Sequence, residues 1–394
     1  MPHNPLLIDI GALSCDCTDH ALQSLAKAMS GEEDAGPDIW ALHDSPFIQS
    51  LIELFSSRGL LRLEKVKIEL NAWLAGKHHK PHTNVVIPTP DTASLHWTTD
   101  ELALVRIYLE NLPEGGYSLS DWGLLVDYLV NRYMPAAELA SEAEWLAVRA
   151  ALMGKVQASL DGKLTVQQAD GLMGAMPLTI QSVQQTFDFG NNALMNHVLD
   201  YGRMRCAEHV TQLTQNTRYR LKSVILNHQE QELLGSAGTK ASLQTQLFDT
   251  FSILNRDWRR IAVTEAGDNA NQGMIASLPP GTRVRRMERY RGACPYCKKI
   301  HGTIMTVVDP KAHNKDGNTQ VWVGKNNMGR SGASRKRIGN ELIERNSAER
   351  WWIPAGPVHP HCRGMWAVMG NSLPGGDPAF HAWLEQQLND KSQF

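Results

Sequence analysis

The sequence predicts an α+β fold, in which a large, mainly helical N-terminal region precedes a small mixed α/β C-terminal domain with a candidate zinc staple. Three observations lead to this prediction. Apolar residues recur mostly at helical spacing up to about residue 277. Beyond Pro279-Pro280-Gly281 the pattern changes to short strand-like runs separated by loops rich in Gly and Asn. The cysteine and histidine pairs that could hold an ion also fall in this last part.

Length and composition limit the classes of protein to consider. A chain of 394 residues with 42% hydrophobic and 20% charged residues indicates a globular protein of two or three domains. No apolar run approaches the roughly 18 residues of a membrane span, and Met1–Pro5 lacks the basic start of a secretory signal. The six cysteines are therefore interpreted as ligands or buried thiols rather than as a disulfide framework.

The first half of the chain is divided into two predicted regions. Residues 1–97 are expected to form an N-terminal arm, a helical segment and a linker rich in Pro and His. Residues 98–240 are expected to form a helical body. In that body Thr98 and Glu101 make a capping box, and Ser120 is expected to cap the following helix.

The second half is predicted to be a basic domain over residues 241–370, followed by a tail over 371–394. Long helices are expected over 178–234 and 241–277, and a short helix over about 378–389. The predicted strands of the domain are Arg283–Met287, Thr303–Val308, Gln320–Val323 and Trp351–Ile353.

Charge is distributed unevenly along the chain. Residues 256–370 hold 20 Lys and Arg against 9 Asp and Glu, a balance of +11, whereas the rest holds 19 against 32, a balance of −13. The basic part is predicted to contact nucleic acid through phosphates without reading sequence. The alternative is that the two parts dock on each other. The candidate DNA-binding residues are Arg283, Arg285, Arg286, Arg289, Arg291, Lys298, Lys299, Arg335, Lys336 and Arg337.

Two short clusters predict a metal site. Cys294 and Cys297 form a Cys-x-x-Cys pair, and His359 and Cys362 form a His-x-x-Cys pair 62 residues later. Three thiolates and one imidazole make the tetrahedral set that structural zinc prefers, with no position left for a substrate. The alternatives are reduced or disulfide-bonded cysteines without a metal. The other candidates for the fourth ligand are His361 and His301.

A resemblance to a known family follows from four groups of residues. They are Arg260–Glu265 (Arg-Ile-Ala-Val-Thr-Glu), 269–273, Ala293–Cys297 with Gly302, and His359–Arg363 (His-Pro-His-Cys-Arg). Their order and spacing resemble those of the phage Mu F-like proteins, the minor head or head morphogenesis proteins of tailed phages.

The resemblance covers about residues 180–370 and departs from the family at two positions. Gly364 stands where another Cys is common, and Val263 stands where a basic residue is frequent. The resemblance implies a low-copy virion protein at the capsid interior or portal vertex, present in the host cytoplasm during assembly. Its implied partners are the portal protein, capsid or scaffold proteins, and double-stranded DNA bound nonspecifically, with no membrane partner.

No catalytic residues are expected, although two enzyme classes stay open as alternatives. A His-metal-finger nuclease also combines Cys-x-x-Cys with a nearby His, but the second Cys-x-x-Cys and the His-Asn spacing are missing. An ADP-ribosyltransferase-like effector could use Arg260 and Glu265. The preferred interpretation is a structural motif, in which Arg260 and Thr264 are four residues apart on one helix and Arg260 and Glu265 make an ion pair between helix and sheet.

Overall fold

The computed structural model confirms the predicted fold class, with a mainly helical N-terminal region followed by a small mixed sheet region. It describes residues 46–80, 97–113, 115–160, 166–187, 193–235, 240–288, 290, 292–369 and 378–389. The predicted arm at residues 1–44 lies outside these residues.

Eight helices of the described residues precede the sheet. They are α1 Pro46–Leu74, α2 Thr99–Asn111, α3 Leu119–Tyr133, α4 Ala136–Leu160, α5 Val166–Ala175, α6 Ile180–Thr186, α7 Ala193–Leu233 and α8 Lys240–Ala276. Two more follow in the C-terminal region, α9 Pro295–Ile300 and α10 Pro378–Asn389.

Capping side chains fix where two of these helices begin. Thr98 and Glu101 make the predicted capping box at α2, in which the Thr98 hydroxyl accepts from the Glu101 N–H. The predicted cap of α3 was wrong by two residues. Ser118, not Ser120, has the extended backbone of an N-cap, and its hydroxyl accepts from the Asp121 N–H.

The sheet region contains a four-stranded sheet and a separate two-stranded ribbon. The sheet runs in the order β3-β2-β1-β6; β1 is antiparallel to β2 and β6, whereas β2 and β3 are parallel. The ribbon pairs β4 with β5 in antiparallel register. The strands are β1 Arg283–Met287, β2 Ile304–Val307, β3 Gln320–Val321, β4 Arg335–Ile338, β5 Glu341–Glu344 and β6 Met365–Val368.

One predicted strand is absent and three observed ones were not predicted. Trp351–Ile353 is irregular, because the Trp351 N–H donates to Ser331 O and the Trp352 N–H donates to the side chain of Asn327. The short strands β4 and β5 are mostly exposed and β6 is wholly apolar, so none of the three alternates between apolar and polar residues.

The chain forms two compact units whose segments alternate along the sequence. Unit 1 comprises Met1–Leu54, Glu144–Cys206 and Arg260–Phe394, and unit 2 comprises Phe55–Ala143 and Ala207–Arg259. Helices α1, α4, α7 and α8 each contribute residues to both units, so the boundaries fall inside helices rather than in linkers.

In unit 1, helices α4 and α8 approach at backbone distance. A Cβ added to Gly154 would lie 1.8 Å from Ala270 O, and one added to Gly273 would lie 2.1 Å from Ala151 O. The two glycines therefore permit the contact. Helix α8 is also joined to the residue that precedes β6, because Asn271 Nδ2 donates to Gly364 O over 2.9 Å.

In unit 2, aromatic and ionic contacts join helices distant in sequence. The rings of Phe55 and Trp258 lie 5.6 Å apart, and Gly59 packs beneath the Trp258 indole. Lys222 Nζ binds the Asp127 carboxylate at 2.6 Å. Among the described residues, no helix combines the length and the apolarity that crossing a membrane requires.

Candidate metal centre

The start of helix α9 positions the first pair of thiols. Cys294 is its N-cap, with extended backbone angles, and Pro295 occupies the first helical position. The Cys297 N–H donates to Cys294 Sγ over 3.4 Å, as an N-cap hydroxyl would accept it in other helices. The Cys-x-x-Cys spacing thus holds both sulfur atoms at one end of a single helical turn.

A tight turn at 359–362 positions the second pair. The Cys362 N–H donates to His359 O over 3.1 Å, and His361 between them has a positive φ of 69°. That backbone is fixed from outside the turn, because the His361 N–H donates to Thr264 Oγ1 on α8 over 2.9 Å. The anchored turn presents His359 and Cys362 to the thiols of α9.

The four predicted ligands come together in one buried cluster. His359 Nε2 lies 3.3 Å from Cys294 Sγ and 3.7 Å from Cys297 Sγ, and Cys297 Sγ lies 3.5 Å from Cys362 Sγ. The three cysteines are at most 6% exposed. A tetrahedral ion with bonds of about 2.0–2.3 Å holds its donors about 3.3–3.8 Å apart. Cys294, Cys297 and His359 therefore have the mutual spacing of metal ligands, and Cys362 joins them through Cys297, so the buried cluster could hold a metal ion.

The hydrogen bonds among the thiols prepare two of them as thiolates. The hydrogen bond with Cys297, helped by that with His359, lowers the pKa of Cys294 to about 3. The bond with Cys297 likewise lowers the pKa of Cys362, aided by the charge of Arg286, whereas the pKa of Cys297 itself is raised. Burial alone would lower the pKa of His359. The hydrogen bond of His359 with Cys294 and the charge of Cys362 outweigh that effect and raise the pKa of His359 to about 9. Binding of a divalent ion would displace the shared protons.

A buried ion pair lies beside the cluster, and sequence reasoning missed it. Arg286 Nε donates to Glu288 Oε1 over 2.8 Å, and both side chains are fully buried. Glu288 oxygens lie 3.7 and 3.9 Å from Cys362 Sγ, and Tyr290 Oη lies 3.2 Å from the same sulfur. Burial raises the pKa of Glu288 to about 7, against the opposing effect of Arg286. Glu288, Cys297 and Cys362 make a second trio with metal-ligand spacing.

Apolar and aromatic groups surround the cysteines. Ala293, Ile300 and Val358 are buried with them. The Trp351 ring packs on the rings of His359 and Tyr296, with centroid distances of 5.5 and 5.4 Å. This shell excludes water from the donor atoms, which strengthens electrostatic interactions between them.

The structure separates His359 from the other two candidates for the fourth ligand. His301 Nδ1 accepts the Glu288 N–H over 3.0 Å. His361 serves through its backbone at Thr264, and neither of its ring nitrogens belongs to a metal-spaced group of the described residues. His359 therefore completes the set with the three cysteines.

The Arg260, Thr264 and Glu265 motif lies on α8 next to this turn. Thr264 Oγ1 donates to Arg260 O over 2.7 Å while it accepts the His361 N–H. Glu265 is fully buried, and its carboxylate binds Arg205 of α7 at 2.9 Å; Arg205 also pairs with Asp268. Sequence reasoning proposed Arg260 as the ionic partner and missed Arg205, which is 60 residues away from Glu265.

The predicted DNA-binding residues differ in their access to solvent. Arg283 and Arg285 are exposed on one face of β1, as their alternation predicts. The prediction for Arg286 was wrong, because it is fully buried against Glu288 and packs on the Trp366 ring, so no phosphate can reach it. Arg289 and Arg291 lie outside the described residues. The other exposed members are Lys298, Lys299, Arg335 and Arg337, and Lys336 is half-buried in a pair with Glu349.

Comparison with protein-family models, with curated proteins and with solved structures finds no significant match. The resemblance to the phage Mu F-like proteins therefore depends on the motif residues themselves.

Proposed function

We propose that the chain is a minor head protein of a tailed phage, which binds the portal and contacts DNA nonspecifically during head morphogenesis, packaging or delivery. The observation that carries this proposal is the meeting of three separated motif segments in one place. Thr264 binds the backbone of His361, and the adjacent Cys362 faces Cys297. Segments that follow the family pattern in sequence thus also share a structural role.

We also propose that the cluster binds one zinc ion with a structural role. Four protein ligands leave no coordination site for water or substrate, so the ion would not be catalytic. It would join α9 to the 359–362 turn across a 62-residue segment. Fixing such a long loop removes chain entropy from the unfolded state, which is the effect expected of a staple.

Exposed cations agree with the DNA-binding part of the proposal. Arg283 and Arg285 project from β1, and Lys298 and Lys299 occupy the last turn of α9. Because these side chains are distributed over a strand face and the end of a short helix, they suit phosphate contact rather than base readout. The portal and the capsid or scaffold proteins are the proposed protein partners, and the virion interior or portal vertex is the proposed location.

The test is a quantitative mass-spectrometric inventory of purified procapsids and virions of the phage that encodes the chain. A few copies per particle are expected, together with recovery of the portal protein in a pull-down with the full chain. Absence from both kinds of particle would overturn the proposal.

The rival nuclease function is tested separately with the purified protein. Incubation with plasmid DNA and Mg²⁺ should leave the plasmid intact if the protein serves assembly. Cleavage that is lost in the Cys297→Ala variant would instead assign a nuclease role to the metal centre.

A further inference from the structure

The β4–β5 ribbon is a short arm of the basic domain that the sheet does not include. Arg335 pairs with Glu344 and Arg337 with Leu342 across the ribbon, and Gly339 has a positive φ of 59° in the turn. An isolated two-stranded ribbon has marginal stability at best. Its order therefore depends on how its base is held.

Backbone bonds tie the base of the ribbon to the metal centre. The Arg345 N–H donates to Ser334 O over 2.8 Å, the Ser331 N–H to Glu349 O over 2.8 Å, and the Trp351 N–H to Ser331 O over 3.0 Å. Trp351 in turn packs on the ring of His359. The ribbon is thus presented from a fixed base rather than from a free loop.

The ribbon and its base carry an excess of positive charge. Residues 330–350 include six Lys and Arg and three Glu. Glu344 binds both Arg335 and Arg350 at 2.8 and 2.7 Å, and Glu349 binds Lys336. The net charge of residues 330–350 is therefore +3, which is the sign that binding to a polyanion requires.

The ribbon tip also exposes two large apolar side chains. Ile338 is 57% and Leu342 is 62% exposed, on the two sides of the turn at Gly339. By the pairing register they lie on opposite faces of the tip, each next to charged neighbours. Removing such apolar side chains from water is favourable, so a partner that covered the tip would gain affinity from them.

We propose that the tip of the β4–β5 ribbon enters a groove of duplex DNA end-on, so that Ile338 and Leu342, on its two faces, contact the bases while Arg335 and Arg337 bind the phosphates. Duplex DNA meets both requirements, because its backbone is a polyanion and its grooves admit a two-stranded ribbon. Apolar side chains that contact or wedge between base steps are a known means of groove binding. This inference rests on the proposed DNA contact and names the element that makes it.

The test measures binding of the full-length protein to a labelled 30-base-pair duplex by fluorescence anisotropy over a range of salt concentrations. Replacing Arg335 and Arg337 together by Gln should weaken binding at least about tenfold and reduce the salt slope by about 1 for each cation. Replacing Ile338 and Leu342 together by Ser should also weaken binding about tenfold, but it should leave the salt slope unchanged.

Control variants outside the ribbon test whether a loss of DNA binding is specific to the ribbon. Lys311→Gln changes an exposed lysine outside the ribbon and should bind like the wild type. A paired change of Arg283 and Arg285 to Gln tests the rival surface on β1. Bound metal and the melting temperature should match the wild type in every variant, since all these side chains are exposed.

Three results would overturn the inference. In the first, both ribbon variants bind DNA like the wild type, whereas the variant changed at Arg283 and Arg285 loses binding. The DNA contact would then lie on β1, and the proposed function would remain intact. The second is equal affinity for duplex DNA and for polyglutamate, each lost with the ribbon cations, which would assign an acidic protein partner. The third is no binding of the wild type to DNA, which would also remove DNA contact from the proposed function without affecting the virion inventory.

Discussion

Cys297 occupies the central position of the metal cluster. Its sulfur lies 3.5 Å from Cys362 Sγ and 3.7 Å from His359 Nε2, and its backbone N–H binds Cys294 Sγ. It is fully buried. Every other candidate ligand contacts Cys297. Loss of the Cys297 thiol should therefore disrupt the whole four-ligand site rather than remove one coordination bond.

We therefore expect Cys297→Ala to reduce bound zinc from about one ion per chain to a trace. The free energy of unfolding should fall by about 4 kcal/mol, the chain-entropy value for a cross-link over a loop of this length. Elemental analysis and denaturant unfolding provide the measurements. Cys206→Ala is the control, since Cys206 is also fully buried but lies in α7; equal metal loss in both variants would contradict the assignment.

Lys325 is a second buried residue whose charge can be tested. Its ammonium donates to Gly317 O and Gln320 O over 2.7 and 2.8 Å, and it lies over the rings of Trp322 and Trp352. Burial nevertheless lowers its pKa to about 7, from the usual 10.5. Between these two values the unfolded chain binds more protons than the folded one, so folding should strengthen as pH rises.

The expected result is a pH-dependent difference in stability between the wild type and Lys325→Met. From pH 7 to 10 the wild type should gain up to about 1.4 kcal/mol per pH unit relative to the variant, and below pH 7 the difference should level off. Urea unfolding at several pH values measures it. The matched control is Lys311→Met, at an exposed lysine. A difference that stays constant over this pH range would show that Lys325 titrates normally in the fold.

At the scale of elements, the contact between α4 and α8 decides how unit 1 is packed. Gly154 and Gly273 each face a backbone carbonyl of the opposite helix, at distances that leave no room for a methyl group. The same helix α8 carries Thr264, which anchors the 359–362 turn. Close packing of the helices therefore supports the position of the metal ligands.

A methyl group at Gly154 should force the two helices apart. We expect Gly154→Ala to lower the free energy of unfolding by about 1–3 kcal/mol, the usual effect of overpacking. Gly174→Ala, at an open position of α5 in the same unit, should be neutral or stabilising by up to about 1 kcal/mol through helix propensity. Thermal unfolding of both variants makes the comparison, and equal effects would contradict the close contact.

The predictability of an element depended on its length and its local signals. The long helices and the Thr98 capping box were predictable, because several turns of periodicity or a four-residue motif define each. Strands β4 and β5 were not predictable, since they are mostly exposed and their residues do not alternate between apolar and polar, and β6 is an apolar run without alternation. Their positions are set by cross-strand partners, such as Trp366 opposite Arg286.

At the scale of the whole molecule, the two units should respond differently to loss of metal. The four ligands belong to unit 1. Helix α9 and the 359–362 turn have the cluster as their shared core. Removal of the ion should therefore release these segments while leaving the helices of unit 2 folded.

Hydrogen exchange with and without a chelator tests this expectation. Amides of α9 and of residues 351–362 should lose protection by about tenfold or more, a free-energy change above about 1.4 kcal/mol. Helix α3 in unit 2 is the internal control and should keep its protection. Added Zn²⁺ should restore the pattern, and a uniform change in both units would contradict a local staple.

The sequence by itself determined the fold class and the set of candidate ligands. Helical periodicity is local, and the spacing of Cys294 with Cys297 and of His359 with Cys362 lies within single turns. Only the tertiary structure decided which distant residues meet. It placed His359 beside Cys294 and Cys297, paired Glu265 with Arg205, and buried Arg286 beside Glu288. The first two contacts join segments 60 or more residues apart, and the third depends on burial. Close packing between distant segments and burial of a charged side chain leave no periodic signal in the sequence.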